Sequence, residues 1–240
     1  MRPCGGRSAD GGKRVAAVRV VPGRRQVLAL LLAAGAIAVA SGPAVARQGW
    51  AGSYRVAQGP DTAGELVLGS DGRFTYVLAE GALDEAAQGS WREEDGIVRL
   101  TTEPKPRPPI FSPARRDAVA NGPLRVSVTW PDGRGIAGID FRIGFAVGEP
   151  VTGYTQEDGW TEAGETIPDP RWIELAEPIH DIGSPRFAIA PGQRLLAFVL
   201  TPNDLGVVDF TGAAFRQDGD RFILAHPRGG ELRFVQKGRD

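Results

Sequence analysis

The sequence predicts an all-β protein in which an antiparallel barrel is split by an inserted β-sandwich. Five Asp-Gly pairs occur between Asp71-Gly72 and Asp218-Gly219, and Asp-Gly accepts the positive φ angles of tight hairpin turns. Apolar and polar residues alternate between such turns, as over 124–130 and 141–147, which is typical of strands with one buried face. Helical periodicity is nearly absent, so strands are expected to form almost all of the regular structure.

The first 46 residues have the features of a bacterial export signal. Twin arginines at 24–25 precede an apolar run over 27–40, which is too short for a bilayer core that needs about 20 residues. Ala44 and Ala46 then provide the small residues of a signal-peptidase site, and Arg47 begins the mature chain. The paired arginines fit a twin-arginine signal, with an ordinary basic n-region as the alternative. We therefore expect a periplasmic or secreted protein.

The predicted mature chain is acidic and contains no sulfur. Removal of the signal takes away seven of the 28 Lys and Arg residues and one of the 29 Asp and Glu residues, which leaves a net charge of −7. Cys4 and Met1 are the only sulfur-containing residues, and both lie in the removed part, so disulfides and thiolate catalysis are excluded. The negative charge disfavours nucleic acid and anionic lipid as partners. We expect a monomer with no membrane span in the mature chain.

The strand patterns change twice along the mature chain, and this predicts a split barrel. Five prolines between 104 and 113 predict a connector, because proline removes ladder donors. The two flanks together reach the roughly eight strands that a small closed barrel needs. Two β domains in series are the alternative. The predicted segments are the first part of the barrel (47–105), the Pro-rich connector (106–122), the sandwich insert (123–199) and the second part of the barrel (200–240).

A succession of strand motifs runs over residues 49–102. Gly52-Ser53-Tyr54 is followed by Leu66-Val67-Leu68, by Asp71-Gly72-Arg73-Phe74 and by Gly89-Ser90-Trp91. This succession resembles the opening half of small bacterial lipocalin-like barrels, including the N-terminal barrel of copper-resistance lipoproteins. The Cys pair of those copper proteins is absent from this chain, so the resemblance implies a barrel without copper, and we expect no cofactor.

A different set of motifs lies within the predicted insert. Ile136-Ala137-Gly138 leads into Ile139-Asp140-Phe141, and Thr155-Gln156-Glu157-Asp158-Gly159-Trp160 follows. These motifs resemble transthyretin-like and carboxypeptidase-regulatory-like sandwiches. Such modules are generally accessory or binding units, so the resemblance implies a role in binding rather than in catalysis.

Recognisable catalytic motifs are absent from the mature sequence. It has no G-x-S-x-G elbow and no S-x-x-K motif. His180 and His226 are the only histidines and fall in different predicted segments, so we expect surface or loop residues. His180-Asp181 nevertheless has the form of a base beside an orienting carboxylate. The sequence favours a non-enzymatic protein that binds a small molecule or an envelope partner, with a carboxylate-dependent periplasmic hydrolase as the alternative.

One acidic stretch is the candidate ligand site. Between Glu80 and Glu85 a strand region is interrupted by charged residues without the usual turn chemistry. An interruption at a barrel rim can redirect side chains toward a ligand. The candidate ligand-binding residues are Glu80, Asp84, Glu85 and Trp91.

Cleavage is predicted between Ala46 and Arg47, because a small-residue site follows the apolar run. Mass spectrometry of protein from an envelope fraction should find Arg47 at the N-terminus. An Ala46→Arg variant, which lacks the small residue at the cleavage position, should remain uncut. Protein that keeps Met1, or that is confined to the cytoplasm, would contradict the prediction.

Overall fold

The computed structural model describes residues 49–114, 122–163 and 167–238, and these ranges consist of strands and turns without an α-helix. The predicted export signal and its cleavage site lie outside these ranges. Across the described part of the chain, no helix has the length and apolar character to span a membrane. The predicted all-β fold class is confirmed.

In the described ranges, seventeen strands form one barrel and two further sheets. In chain order they are β1 (Gly52–Val56), β2 (Thr62–Leu68), β3 (Arg73–Glu80), β4 (Leu83–Glu94), β5 (Ile97–Thr102), β6 (Ile110–Pro113), β7 (Arg125–Thr129), β8 (Asp140–Gly144), β9 (Val151–Tyr154), β10 (Trp160–Thr161), β11 (Trp172–Glu177), β12 (Ile182–Gly183), β13 (Phe187–Ala188), β14 (Leu195–Thr201), β15 (Thr211–Asp218), β16 (Arg221–Ala225) and β17 (Glu231–Gln236).

The barrel is closed by eight strands in the order β1-β17-β16-β15-β5-β4-β3-β2, all antiparallel. Strands from the two ends of the chain meet where β1 pairs with β17 and where β5 pairs with β15. The strands on both sides of the insert are therefore needed for closure. This order fits the predicted split barrel and does not fit two β domains in series.

Some tight turns of the barrel follow the Asp-Gly signals. At Asp95-Gly96, between β4 and β5, both residues have positive φ angles of 53° and 74°. Two-residue hairpin loops with this backbone match the right-handed twist of the flanking strands. The Asp-Gly pair thus fixes the register that puts alternate residues of β4 and β5 inside the barrel.

Aromatic rings fill the barrel interior. The Tyr54 ring lies edge-on to Phe215 and Phe222, with ring centroids 5.0 and 4.8 Å apart. Edge-to-face pairs of this kind stabilise a core beyond the burial of their area. The barrel is therefore a packed core rather than an open container. The large buried rings are those of Tyr54, Phe74, Tyr76, Trp91, Phe210, Phe215, Phe222 and Phe234.

Two sheets form the insert between β5 and β15. One has the order β10-β7-β14-β6 and the other the order β12-β11-β8-β9, with β13 also paired to β11. Apolar side chains from both sheets, including Val126, Phe198, Ile143 and Ile173, share one buried cluster. The two sheets therefore pack face to face as a sandwich. The apolar run over 195–200 forms the inner strand β14, as its sequence indicates.

The segment predicted as a Pro-rich connector contains a strand. Residues Ile110–Pro113 form β6, which pairs antiparallel with β14 at the edge of its sheet. An edge strand needs its backbone donors on one side only, so proline is tolerated there. The prolines at 104, 106, 108 and 109 precede this strand in chain without regular secondary structure. Residues 103–109 thus connect the barrel to β6, and the rest of the predicted connector, after Ala114 and before Gly122, lies outside the described residues.

The chain leaves and re-enters the barrel along two adjacent paths. The outgoing crossing (103–109) and the return segment (202–210) are joined by hydrogen bonds from the Arg107 amide to Asp204 Oδ2 (2.8 Å) and from Asn203 Nδ2 to the Pro108 carbonyl (2.8 Å). The return segment then bonds to Ala86 of β4 through Gly206 O and the Val208 amide, at 2.9 Å each. It thus completes the wall beside the part of β4 that β5 does not reach.

Thr102 fastens the return segment to the barrel. Its buried hydroxyl donates to the Val208 carbonyl at 2.8 Å and accepts from the Phe210 amide at 3.0 Å. These bonds satisfy two backbone groups that lie against the aromatic core. Without the hydroxyl both groups would be buried and unpaired, which is costly.

Thr102→Val should lower the free energy of unfolding by about 1–3 kcal/mol, because it keeps the side-chain shape and removes both hydrogen bonds. Urea unfolding would measure the change. Thr101→Val, a change at the neighbouring half-buried residue of the same strand, should cost less than about 0.5 kcal/mol. Equal effects of the two substitutions would contradict the role of the Thr102 hydroxyl.

Candidate functional site

Several loops gather at the end of the barrel where the insert is attached. Three loops that join consecutive barrel strands lie at this end, namely 57–61, 81–82 and 226–230. Neighbouring barrel strands are antiparallel, so every second connection falls at the same end. The return segment meets the barrel here as well. We call this end of the barrel the junction end. The opposite end carries the turns at 69–72 and 95–96.

A charged cluster is buried at the junction end. Glu85 Oε1 accepts from Arg228 Nη2 at 2.8 Å, and Glu85 Oε2 lies 3.1 Å from His226 Nε2. The Tyr76 hydroxyl is 3.4 Å from Glu85 Oε2. Only 5% of the Glu85 side chain and 7% of the His226 side chain are exposed. A carboxylate in this position needs these partners, because an unpaired buried charge is strongly destabilising.

The alternation of β4 explains why a carboxylate points into the barrel. Glu85, Ala87, Gly89 and Trp91 are the buried positions of this strand, and the residues between them are exposed or half-buried. Glu85 is the inward residue nearest the junction end. The strand period therefore places its carboxylate where the loops of that end can supply hydrogen-bond donors.

Both ring nitrogens of His226 take part in hydrogen bonds. The Arg228 amide donates to Nδ1 at 3.3 Å, so we assign the proton to Nε2, which donates to Glu85. The imidazole is thus neutral and fixed in orientation. It offers no free nitrogen to an incoming molecule, and its role is to hold the Glu85 carboxylate.

Arg228 connects the barrel to the insert. Its Nη2 binds Glu85 inside the barrel end, and its Nη1 donates to the Ile179 carbonyl at 3.2 Å. Ile179 lies in the turn between β11 and β12 of the sandwich. One guanidinium therefore bonds to both parts of the fold, which suits its planar set of donors.

The β11–β12 turn holds His180 in a defined orientation. Glu177 accepts from the amides of Ile179 (3.1 Å) and His180 (2.9 Å) and from His180 Nδ1 (2.9 Å). Asp181 adopts a positive φ of 56° in this turn. The carboxylate that orients His180 is therefore Glu177, and the pairing with Asp181 suggested by the sequence is wrong. With the proton on Nδ1, the lone pair of Nε2 is directed away from Glu177.

A cavity of about 570 Å³ lies between the barrel end and the insert, within the size range of small-molecule sites. His180 lines it, and a Cβ atom placed on Gly206, another lining residue, would lie 3.9 Å from His180 Nε2. Basic and acidic side chains of the wall form three pairs, Lys105–Asp209, Arg107–Asp204 and Arg228–Glu85. Apolar side chains of the wall include Pro106, Ile182, Leu205, Val207, Val208 and Pro227.

The structure separates the four candidate residues predicted from the sequence. Glu85 is central to the buried cluster, whereas Asp84 is exposed on the outer face of β4. Glu80 is exposed and borders a smaller depression of about 290 Å³ beside His226. Trp91 is buried in the barrel core and donates from Nε1 to the Gly69 carbonyl at 2.9 Å. Six residues of strand, about 20 Å, separate Trp91 from Glu85.

The predicted interruption between Glu80 and Glu85 is a hairpin turn. Strands β3 and β4 stay in register up to Glu80 and Leu83, and Gly81 supplies the positive φ of 60°. Gly81-Ala82 lacks the Asp or Asn that marks most such turns, so the sequence pattern indicates an interruption of the strand rather than a hairpin.

The two histidines were expected at the surface or in loops, and both lie in loops, but their side chains are largely buried. Only 20% of the His180 side chain and 7% of the His226 side chain are exposed. Sequence reasoning also missed Glu177 and Arg228. The available signal was the Glu177-x-x-His180 spacing across a short turn, which lets one carboxylate bond to both the backbone and the ring. Within the described residues, no group of three or more His, Cys, Asp or Glu side chains is arranged to hold a metal ion.

Comparison with known proteins gives no assignment for this fold and site. No protein-family model, curated protein or solved structure matches the chain. The geometry of the junction end is therefore the basis for a proposed function.

The pKa of the Tyr76 phenol is raised well above its ordinary value by burial and by the adjacent Glu85 carboxylate. The unfolded phenol ionises near about pH 10, while the folded one keeps its proton. Above about pH 10 the unfolded state therefore binds fewer protons than the folded state. The free energy of unfolding then falls as the pH rises, by about 1.4 kcal/mol per pH unit for this one group.

Tyr76→Phe should remove this loss, since phenylalanine has no proton to release. Urea unfolding at a series of alkaline pH values should give a shallower decline for Tyr76→Phe than for the wild type. Tyr154→Phe, at an exposed tyrosine, should keep the wild-type slope. A wild-type slope in Tyr76→Phe would contradict the assignment of this loss of stability to the Tyr76 phenol.

Proposed function

We propose that this chain is an exported, non-enzymatic binding protein that holds a small molecule in the cavity between barrel and insert. The observation that carries the proposal is this concave site of about 570 Å³, with apolar walls and one oriented histidine. Binding sites for small molecules are typically mostly apolar with a few fixed polar groups. The barrel interior is filled by aromatic rings, so the cavity at the junction end has more room for a ligand than the barrel interior has.

The sequence resemblances support a binding role. The motifs of the N-terminal strands resemble lipocalin-like barrels, and those of the insert resemble transthyretin-like modules, which generally bind rather than catalyse. The export signal directs the chain to the periplasm or the exterior. An envelope protein was the other predicted class of partner, and the concave shape of the site favours a small molecule over a protein surface.

The bonding within the junction also favours binding over catalysis. Glu85 is engaged by Arg228, His226 and Tyr76, and both nitrogens of His226 are used. A general base needs a free lone pair within reach of the substrate. The buried cluster therefore supports the shape of the site and does not resemble catalytic machinery.

A hydrolase is the second candidate, and the Glu177–His180 pair favours it. A carboxylate that accepts from Nδ1 while Nε2 faces a cavity is the arrangement of a histidine general base. In that case His180 would activate water. Turnover of an ester or peptide substrate that is lost in His180→Ala, with unchanged unfolding, would support this candidate over simple binding.

Binding can be tested with the neutral apolar fluorophore N-phenyl-1-naphthylamine. The wild type should bind it, and Val207→Trp should weaken binding at least about tenfold, because Val207 lines the cavity and is 40% exposed and the larger ring would fill the space. Fluorescence titration gives both affinities. Val147→Trp is the matched control, since Val147 is 88% exposed and lies outside the cavity.

The control variant should bind the fluorophore as the wild type does, and both variants should unfold at the wild-type temperature. Equal affinity of Val207→Trp and the wild type would locate any binding elsewhere. No binding by the wild type would remove the support for a small-molecule site.

A further inference from the structure

We infer that the ligand of the junction cavity is a weak organic acid, a phenol or carboxylic acid on an apolar body, that shares its acidic proton with Nε2 of His180. This inference rests on the proposed binding function and specifies its ligand. It follows from the orientation of His180, from the paired charges of the wall and from the apolar surface beside them.

Glu177 determines which nitrogen of His180 a ligand meets. Because its carboxylate accepts from Nδ1 at 2.9 Å, the neutral ring carries its proton there and presents a lone pair on Nε2. The same carboxylate is bonded to two backbone amides of the turn, so the ring is held before any ligand arrives. A pre-organised acceptor favours a ligand that brings a proton donor.

Each basic group of the wall has a carboxylate partner in the same wall. Lys105, Arg107 and Arg228 are each within 3.6 Å of a carboxylate oxygen that also belongs to the wall. A permanently charged ligand would have to compete with one of these pairs. A neutral acid leaves them intact, because the group it needs is the uncharged Nε2 lone pair.

The acid proton can move along this hydrogen bond. The ligand O–H bond breaks, the proton bonds to Nε2, and the pair becomes an imidazolium between the ligand oxyanion and Glu177. Bonds between charged partners are about twice as strong as neutral ones. No atom is lost, and no other reactant takes part.

The pH dependence follows from this shared proton. The charged groups that line the cavity with His180 are Glu85, Lys105, Arg107, Asp204, Asp209 and Arg228. Glu177 and Asp181 lie in its own turn, and Glu177 accepts from Nδ1. Binding should be tightest where ligand and His180 hold one acidic proton between them. It should weaken at higher pH, where the ligand has lost that proton to water.

The body of the ligand would contact apolar side chains. Ile182 of the insert and Leu205 and Val207 of the return segment line the same cavity as His180. A small aromatic or aliphatic acid can therefore bury its apolar part against these residues while its acidic oxygen reaches Nε2. Burial of that part contributes affinity in proportion to its area.

The test compares two probes that differ by one hydroxyl group, 4-nitrophenol and nitrobenzene. The wild type should bind 4-nitrophenol at least about tenfold more tightly, the effect of one charge-assisted hydrogen bond. His180→Phe keeps an aromatic ring and should bind the two probes equally. Asp181→Asn, which changes the neighbouring residue, should keep the preference. Equilibrium dialysis would give the affinities.

A second measurement needs no variant. Long-range ¹H–¹⁵N spectra of the wild type, recorded where free His180 is neutral, should show Nε2 gaining a proton when 4-nitrophenol is added. The His226 signals should stay unchanged, because both of its nitrogens are already bonded. An unchanged His180 spectrum at saturating 4-nitrophenol would overturn the inference.

The two proposals fail in different ways. If both probes bind equally to the wild type and both are weakened by Val207→Trp, the cavity binds small molecules and the weak-acid inference is overturned. If neither probe binds, or if Val207→Trp affects neither, the proposed function itself fails.

Discussion

The fold depends on one backbone requirement, which is that the junction half of β4 must have a partner. Strand β5 pairs with β4 only over Gly89–Glu94, although β4 begins at Leu83. Without another partner, the amide and the carbonyl of Ala86 would have no strand to bond to on that side. The return segment supplies the missing bonds. It is held in place by Thr102 and by the outgoing crossing, so closure of the barrel and attachment of the insert depend on the same segment.

The buried cluster is a second consequence of this arrangement. An inward carboxylate in an aromatic barrel is unfavourable alone, and Glu85 obtains partners from the 226–230 loop, one of which also bonds to the insert. Buried ionic groups are weak contributors to net stability and strong determinants of geometry when every member is satisfied. The cluster thus fixes how the β11–β12 turn faces the return segment. The same turn carries His180, which Glu177 orients and which lines the cavity.

Local sequence patterns predicted much of the fold but not which residues meet at the site. Alternation and Asp-Gly pairs indicated the barrel strands because both signals are contained within one hairpin. Strand β6 was missed because the prolines before it and Pro113 within it suggested a connector, although an edge strand tolerates proline. Trp91 was proposed as a ligand contact, yet period two places it in the core. His180, Glu85 and Arg228 converge from three distant hairpins, and no spacing in the sequence encodes that meeting.

The pairings β1–β17 and β5–β15, which join the two parts of the barrel, also determine when the barrel can close during synthesis. A ribosome delivers β1 to β5 first, as a sheet with two open edges, and the strands that cover those edges come only after residues 103–210. Closing so long a loop is slow compared with forming local hairpins. During synthesis the unclosed sheet is exposed to mispairing with other chains. The last strand, β17, completes the wall beside β1, so the native barrel exists only after nearly the whole chain has been synthesised.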